Sequence, residues 1–171
     1  MFDKHRSPTT TVEYAVLGCL LNLPAATAVD TLEQLEKLDF TTPSLLTIYN
    51  HLWETMARQS SCTDGHYRLD PWLLMDSLIN SGEFKQDNVR SAHAELATYK
   101  GVPESIDYHV DQLKTLRVRR AAETFANGLK CRADGPLEDL LDWINKWPDF
   151  IRLVERLDAI KQKPAPVRLT A

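Results

Sequence analysis

Apolar side chains recur every three or four residues along almost the whole chain, and this spacing restricts the possible folds more than any other feature. In the segment PSLLTIYNHLWETM the apolar residues fall at i, i+3, i+4, i+7 and i+11, which places them on one face of a helix. These residues are Leu45, Ile48, Tyr49, Leu52 and Met56. Six glycines in 171 residues are too few for the many turns of an all-β protein. The sequence therefore predicts an all-α fold.

Prolines and capping residues mark the predicted helix ends. Thr10-x-x-Glu13 has the pattern of a capping box, in which side chains bond the free backbone amides at a helix start. The first helix is expected to begin there and to end at Pro24. Thr42-Pro43 places an N-cap residue before a proline, which costs no hydrogen bond at the first helical position. The helix that contains PSLLTIYNHLWETM is therefore expected to begin at Pro43, and Phe40 is expected to pack against its apolar face.

The remaining segments of the first hundred residues follow the same logic. A second helix is expected over roughly residues 26–38, and a polar loop over 59–69. Asp70-Pro71 repeats the capping signal and begins a fourth helix, which Gly82 ends and a fifth follows near 89–99. The apolar face of the fourth helix is expected to comprise Trp72, Leu74, Leu78 and Ile79. Gly18 lies inside the first helix, where glycine costs about 1 kcal/mol relative to alanine, so it predicts close approach of a neighbouring helix.

From Pro103 to about Cys131 the pattern predicts one helix of roughly 40 Å, at ~1.5 Å per residue. The turn ADGP and two returning helices would complete a helical hairpin, a shape suited to pairing with another chain. The predicted architecture is a small helical head followed by this hairpin. Its parts are a flexible N-terminus (1–9), the head (10–102), the hairpin (103–161) and a disordered tail (162–171).

Charge and cysteine content indicate the setting of the protein. The formal net charge of −4 gives no electrostatic reason to expect nucleic acid as the main partner. Three widely spaced cysteines indicate a reducing, cytoplasmic environment rather than a disulfide framework. The N-terminus has no apolar signal core, and no apolar run approaches the roughly 20 residues that span a bilayer. A cytoplasmic protein without a membrane segment is expected.

Four blocks, in order and covering roughly Thr10 to Cys131, resemble the N-terminal domain of the DnaB-type replicative helicase family. EYAVLGCLLN resembles the opening helix of that family, and LDFTTPSLLTIYNHLWETM its Asp-Phe turn and following helix. RLDPWLLMDSLINSGEF and IDYHVDQLKTLRVRRAAE resemble the next two blocks, with Ile106 and Arg120 at matching positions. Ser105 and His109 differ from the Asn and Tyr that are usual in the family.

The resemblance implies a helical head with a hairpin that pairs between subunits and helps to form a ring-shaped collar. The collar region of the family docks the C-terminal domain of primase, so the expected partners are further copies of the chain and a primase, a loader or a replicative helicase. Direct nucleic-acid binding is expected to be weak or absent, and no cofactor is expected. The residues expected at partner contacts are Ile106, His109, Val110, Leu113, Arg117, Arg120, Phe125, Trp143 and Trp147.

The motor of that family requires a phosphate-binding loop, G-x-x-x-x-G-K-[ST]. No two glycines here are five residues apart, and no Gly-Lys-Ser or Gly-Lys-Thr occurs. The chain is therefore expected to be no enzyme, without catalytic residues of its own. Two interpretations remain open: a non-catalytic DNA-replication module, or the N-terminal portion of an ATP-dependent helicase whose motor domain is absent here.

A third interpretation is a helical DNA-binding protein that uses the basic cluster from Arg117 to Arg120. On the predicted helix, Arg117 and Arg120 lie on one face and Arg119 points elsewhere. The expected role of this cluster is instead a solvated face or pairing between subunits with the acidic returning helices (Glu138, Asp139 and Asp142). Cys62-x-x-x-His66 lacks the further ligands of a metal site, so no metal is expected. His51, His93 and His109 show no partnered serine, cysteine or carboxylate pattern in the sequence. Trp143 and Trp147 are expected to pack within the hairpin or, if exposed, to anchor a partner.

Overall fold

The computed structural model describes residues 7–62 and 70–161, with the side chains of 7–58 and 70–156. Within these ranges the chain forms helices and no strand, which confirms the predicted all-α fold. The α-helices are α1 (Pro8–Asn22), α2 (Ala25–Leu32), α3 (Pro43–Cys62), α4 (Pro71–Asn80), α5 (Asp87–Ala97), α6 (Ile106–Arg132), α7 (Leu137–Ile144) and α8 (Trp147–Lys161). Three short 3-10 helices span Lys37–Asp39, Glu83–Lys85 and Pro103–Ser105.

The chain divides into two compact units, and the boundary falls inside α6, between Leu113 and Lys114. The first unit, here called the head, contains α1 to α5 and the first turns of α6, and it holds the hydrophobic core. The second unit, here called the hairpin unit, contains the rest of α6 with α7 and α8. No helix of the described ranges is long and apolar enough to cross a membrane.

The predicted apolar face of α3 is confirmed as the centre of the head. All five of its residues are at least 94% buried, and Phe40 stacks on Tyr49 with ring centroids 4.6 Å apart. The face packs against α2, α4 and α5. Burying one such side chain stabilises a fold by about 1.5–3 kcal/mol, so this face contributes a large share of the stability of the head.

The predicted capping box of α1 is wrong, because Glu13 bonds elsewhere. The N-cap is Ser7, whose Oγ accepts a hydrogen bond from the amide of Thr10. Glu13 is fully buried, and its carboxylate accepts three hydrogen bonds from the segment just before α3. The donors are the amide and hydroxyl of Thr41, at 2.6 and 2.8 Å, and the amide of Thr42, at 3.2 Å. This carboxylate therefore ties α1 to the start of α3.

Gly18 of α1 allows the close approach of a neighbouring group, as predicted, but that group is the ring of Tyr99 and not a helix. A Cβ at Gly18 would lie 2.1 Å from Cδ1 of Tyr99, the second residue after α5, and a Cβ at Gly101 would lie 2.3 Å from the same ring. Asn22 extends this contact, because its side-chain amide donates to the carbonyls of Gly18 and Tyr99. The first helix therefore packs against the segment that leads into α6.

Several predicted boundaries differ from the structure. α2 ends at Leu32, six residues before the predicted end, and the chain then forms the 3-10 helix Lys37–Asp39. α3 continues to Cys62, beyond the predicted start of the loop at residue 59. α4 begins as predicted, with Asp70 accepting a hydrogen bond from the amide of Trp72. The predicted flexible N-terminus and disordered tail lie outside the described residues over 1–6 and 162–171. The side chain of Cys62 and the whole of His66 also lie outside the described part of the chain, so the predicted absence of a metal site there is untested.

Candidate protein interaction surface

The hairpin unit is held together by a cluster of aromatic rings centred on Phe125 of α6. The ring centroid of Phe125 lies 5.9 Å from Trp143, 5.0 Å from Trp147 and 6.1 Å from Phe150. The indole Nε1 of Trp143 also donates a hydrogen bond of 3.0 Å to the carbonyl of Phe125. Aromatic pairs at such distances contribute about 0.5–1.5 kcal/mol each beyond the area that they bury. These contacts fix α7 and the start of α8 against α6.

Gly128 makes room for Trp143 on the surface of α6. A Cβ at Gly128 would lie 2.2 Å from Cε2 and Cζ2 of the indole. The guanidinium of Arg132 lies 4.4 Å and the ammonium of Lys146 4.6 Å from the centroid of the Trp143 ring. Both distances are within the range of cation–π attraction. The predicted packing of Trp143 within the hairpin thus agrees with the structure.

α7 and α8 also carry apolar side chains that are partly exposed. Leu137, Leu141 and Ile144 fall at i, i+4 and i+7 of α7 and are 67%, 49% and 44% exposed. Trp147 and Ile151 continue the patch onto α8. These five residues are called the outer face below. Exposed apolar side chains grouped on one face of a helix, as on α7, are common at protein interaction sites.

Exposed charges of opposite sign lie on different helices of the hairpin unit. Glu138, Asp139 and Asp142 are exposed on α7, and Arg119 and Lys130 are exposed on α6.

Four of the residues predicted at partner contacts are buried, namely Ile106, Val110, Leu113 and Arg117. The first three belong to the core of the head. Ile106, Val110 and Leu113 pack there with at most 4% exposure, so they leave no surface for a partner. His109 is half-buried beside Tyr108, with ring centroids 5.5 Å apart. Contacts of a partner with the more accessible residues, Phe125, Trp143 and Trp147, remain a prediction.

The basic cluster is divided between buried and exposed positions. Arg117 is 6% exposed and Arg120 is half-buried, whereas Arg119 is exposed. The sequence predicted that Arg117 and Arg120 share one helical face and that Arg119 points elsewhere, and the burial follows this division. Phosphate contacts require several accessible positive charges. The cluster therefore offers little surface for a DNA backbone.

The residues of the outer face other than Trp147 were missed at the sequence level. Leu137, Leu141 and Ile144 have the same spacing as a core helix, so their pattern predicts a buried face without specifying what buries it. The sequence feature that could have indicated an exposed face is the high density of acidic residues in α7, which has only eight residues.

The prediction that His51 has no partnered serine or carboxylate is wrong. Its Nδ1 lies 2.8 Å from Oγ of Ser77, and its Nε2 bonds the carboxylate of Glu83. The order of groups resembles that of a hydrolytic triad, whose oxyanion is stabilised by positioned backbone or side-chain donors. The amides that follow Ser77 lie inside α4. The three residues therefore link α3, α4 and the 3-10 helix Glu83–Lys85 as a structural contact.

Two other polar side chains of the head, His93 and Cys19, have structural partners. His93 is buried, with Nε2 3.2 Å from the carbonyl of Pro71. Burial raises the pKa of the Cys19 thiol, which lies 3.9 Å from the hydroxyl of Ser105. Within the described ranges, no group of three or more His, Cys, Asp or Glu side chains is arranged to hold a metal ion.

Residues 7–115 match the family described as DnaB-like helicase N-terminal domain. The match covers more than half of the 171 residues and includes every helix of the head. The chain belongs to this family. No curated protein and no solved structure matches the chain.

As a DnaB-like N-terminal domain, the chain is a module of the replicative-helicase type. The family match ends at residue 115, just after the boundary between the two units. The aromatic cluster and the outer face lie beyond the matched residues.

Proposed function

We propose that this chain is a non-catalytic DNA-replication module that associates with further copies of itself through the hairpin unit. In the assembled state it binds a primase, a loader or a replicative helicase. A longer protein that carried a motor domain would use the same surfaces. The proposal on partners rests on membership of the family, and the proposal on self-association rests on the hairpin unit.

The observation that carries self-association is that the hairpin unit has an aromatic cluster but no buried apolar side chain among those described. Its only buried described side chains are the charged Lys114 and Arg117, whereas the five residues of the outer face are 37–67% exposed. At roughly 25 cal/mol per Å² of apolar surface, covering this face would supply several kcal/mol toward association. A second copy provides both an apolar surface and charged side chains of opposite sign.

The DNA-binding interpretation receives less support. The basic cluster would have to present Arg117, which is buried, and the net charge of the chain is −4. Non-specific DNA binding depends on neutralising several phosphates at once.

The test is light scattering of the purified chain over a range of concentrations. We expect a dimer or larger ring for the wild type and a monomer for Leu141→Glu/Ile144→Glu, since two charges would enter the proposed interface. The matched control is Trp72→Glu/Ile79→Glu, which changes two exposed apolar residues of the head and should leave the oligomer intact.

Partner binding is tested by mixing the chain with the C-terminal domain of a primase and with a full-length replicative helicase. A mixed complex supports the proposal and shows which partner is used. A chain that stays monomeric at every concentration and binds neither protein would contradict it.

A further inference from the structure

A groove in the head, between α2 with its following 3-10 helix and α3, has the features of a peptide-binding site. It encloses about 640 Å³. Its floor is apolar and buried, formed by Leu32, Leu35 and Tyr49. Trp53 forms an accessible wall at 37% exposure. The groove lies wholly within the head, so it is separate from the outer face.

The rim of this groove is acidic. Glu33 and Glu54 line it and are exposed, and Lys37 is the single cation of the lining. The guanidinium of Arg58 lies 4.0 Å from the carboxylate of Glu54. Asp39 and Glu36 add negative charge close to Tyr49, whose pKa is raised to about 12 mainly by burial and then by these two carboxylates. An aromatic wall between carboxylates attracts a cation both by charge and through the face of the ring.

We propose that this groove binds a short basic peptide segment of a partner protein. An apolar side chain of the peptide packs against Trp53, the accessible apolar wall of the groove, and a lysine or arginine of the peptide pairs with Glu33 and Glu54. The acidic rim selects against acidic segments, because like charges placed together at an interface weaken binding. This inference does not depend on self-association of the hairpin unit.

The test uses a labelled synthetic peptide of alternating leucines and arginines, measured by fluorescence anisotropy near physiological salt. A peptide with glutamate in place of arginine is the second probe. We expect only the basic peptide to bind, and Glu33→Lys/Glu54→Lys to weaken it by about tenfold or more, since two attractive pairs become repulsive. Trp53→Ala should also weaken binding.

The control Asp76→Lys/Asp111→Lys changes the net charge by the same amount at two exposed positions of the head that do not line the groove. It should change the affinity by less than about twofold. Equal losses in the two double variants would reduce the effect to general attraction by an acidic protein and would overturn the proposal. So would equal binding of the two peptides, or no binding of the basic one.

A second readout locates the peptide on the protein. The indole resonance of Trp53, assigned with Trp53→Phe, should shift in a proton–nitrogen correlation spectrum when the basic peptide is added. Shifts confined to the other tryptophans would contradict the groove. Light scattering of Glu33→Lys/Glu54→Lys should match the wild type, which separates failure of this site from failure of self-association.

Discussion

Glu13 contributes more to the head than its place in α1 indicates. It is fully buried, and its carboxylate accepts three hydrogen bonds at the N-terminal end of α3. A carboxylate at this end of a helix is favourable because the helix dipole is positive there. The sequence placed Thr10 and Glu13 at the spacing of a local cap, and nothing in that spacing reveals a bond to a segment 28 residues away.

Glu13→Gln should destabilise the protein by about 1–3 kcal/mol, because one side-chain oxygen is replaced by a donor that faces other donors. The measurement is urea unfolding followed by circular dichroism. Glu123→Gln, at an exposed position of α6, is the control and should change stability by less than about 0.5 kcal/mol. A similar small change for Glu13→Gln would show that the buried bonds contribute little.

Tyr49 should make the stability of the head depend on alkaline pH. Its hydroxyl donates a 3.0 Å bond to the carbonyl of Leu35, and burial, followed by Asp39 and Glu36, raises its pKa from 10.0 to about 12. The folded state therefore holds this proton more tightly than the unfolded state. The resulting stability is complete below pH 10 and is lost as the pH rises from 10 to about 12.

Chemical unfolding at a series of pH values, with wild type and Tyr49→Phe, checks this expectation. Below pH 10 the free energy of unfolding of Tyr49→Phe should be about 1 kcal/mol lower than that of the wild type, because the variant lacks the hydrogen bond to Leu35. Between pH 10 and 12 the variant should lose less stability than the wild type, because it has no hydroxyl to titrate. Tyr108→Phe changes an exposed ring and should follow the wild type. Parallel curves for all three proteins would show that Tyr49 does not titrate differently on folding.

At the scale of helices, the contact between α6 and α7 depends on the absence of one side chain. The indole of Trp143 occupies the space that a Cβ at Gly128 would need. Alanine normally stabilises a helix by about 1 kcal/mol relative to glycine. Here the steric conflict opposes that gain.

Gly128→Ala should therefore destabilise the hairpin unit by about 1–3 kcal/mol, the usual cost of overpacking. Asn127→Ala, one residue earlier and exposed, should be neutral or stabilising. In a Trp143→Ala background, Gly128→Ala should regain the benefit of the better helix former. The double-mutant cycle is measured by thermal unfolding, and additive effects would rule out the contact.

The helices themselves were largely predictable, because their signals are local. Asp70 caps α4 as expected, and the apolar face of α3 is buried as expected. Trp72 and Ile79 were expected on the apolar face of α4 but are 67% and 48% exposed, since periodicity does not say which side of a broad apolar stripe meets the core.

For the whole molecule, the order of helices and the family could be read from the sequence, whereas the surfaces could not. The outer face and the core of α3 have the same spacing of apolar residues, but one is exposed and the other buried. Their difference depends on how many other helices surround each one, which is a property of the folded chain. The groove beside Trp53 could not be predicted from the sequence either, because its walls come from segments separated by ten or more residues and meet only in the folded chain.

The contact between α1 and the segment from Tyr99 to Ser105 has a consequence for synthesis on the ribosome. Gly18 and Cys19 are made early, but Tyr99, Val102 and Ser105, which pack on or bond to them, are made about eighty residues later. Apolar helices that emerge before their partners are open to aggregation. α1 therefore leaves the ribosome well before the segment that completes its packing, and its apolar side chains stay open to wrong associations until the start of α6 has been translated.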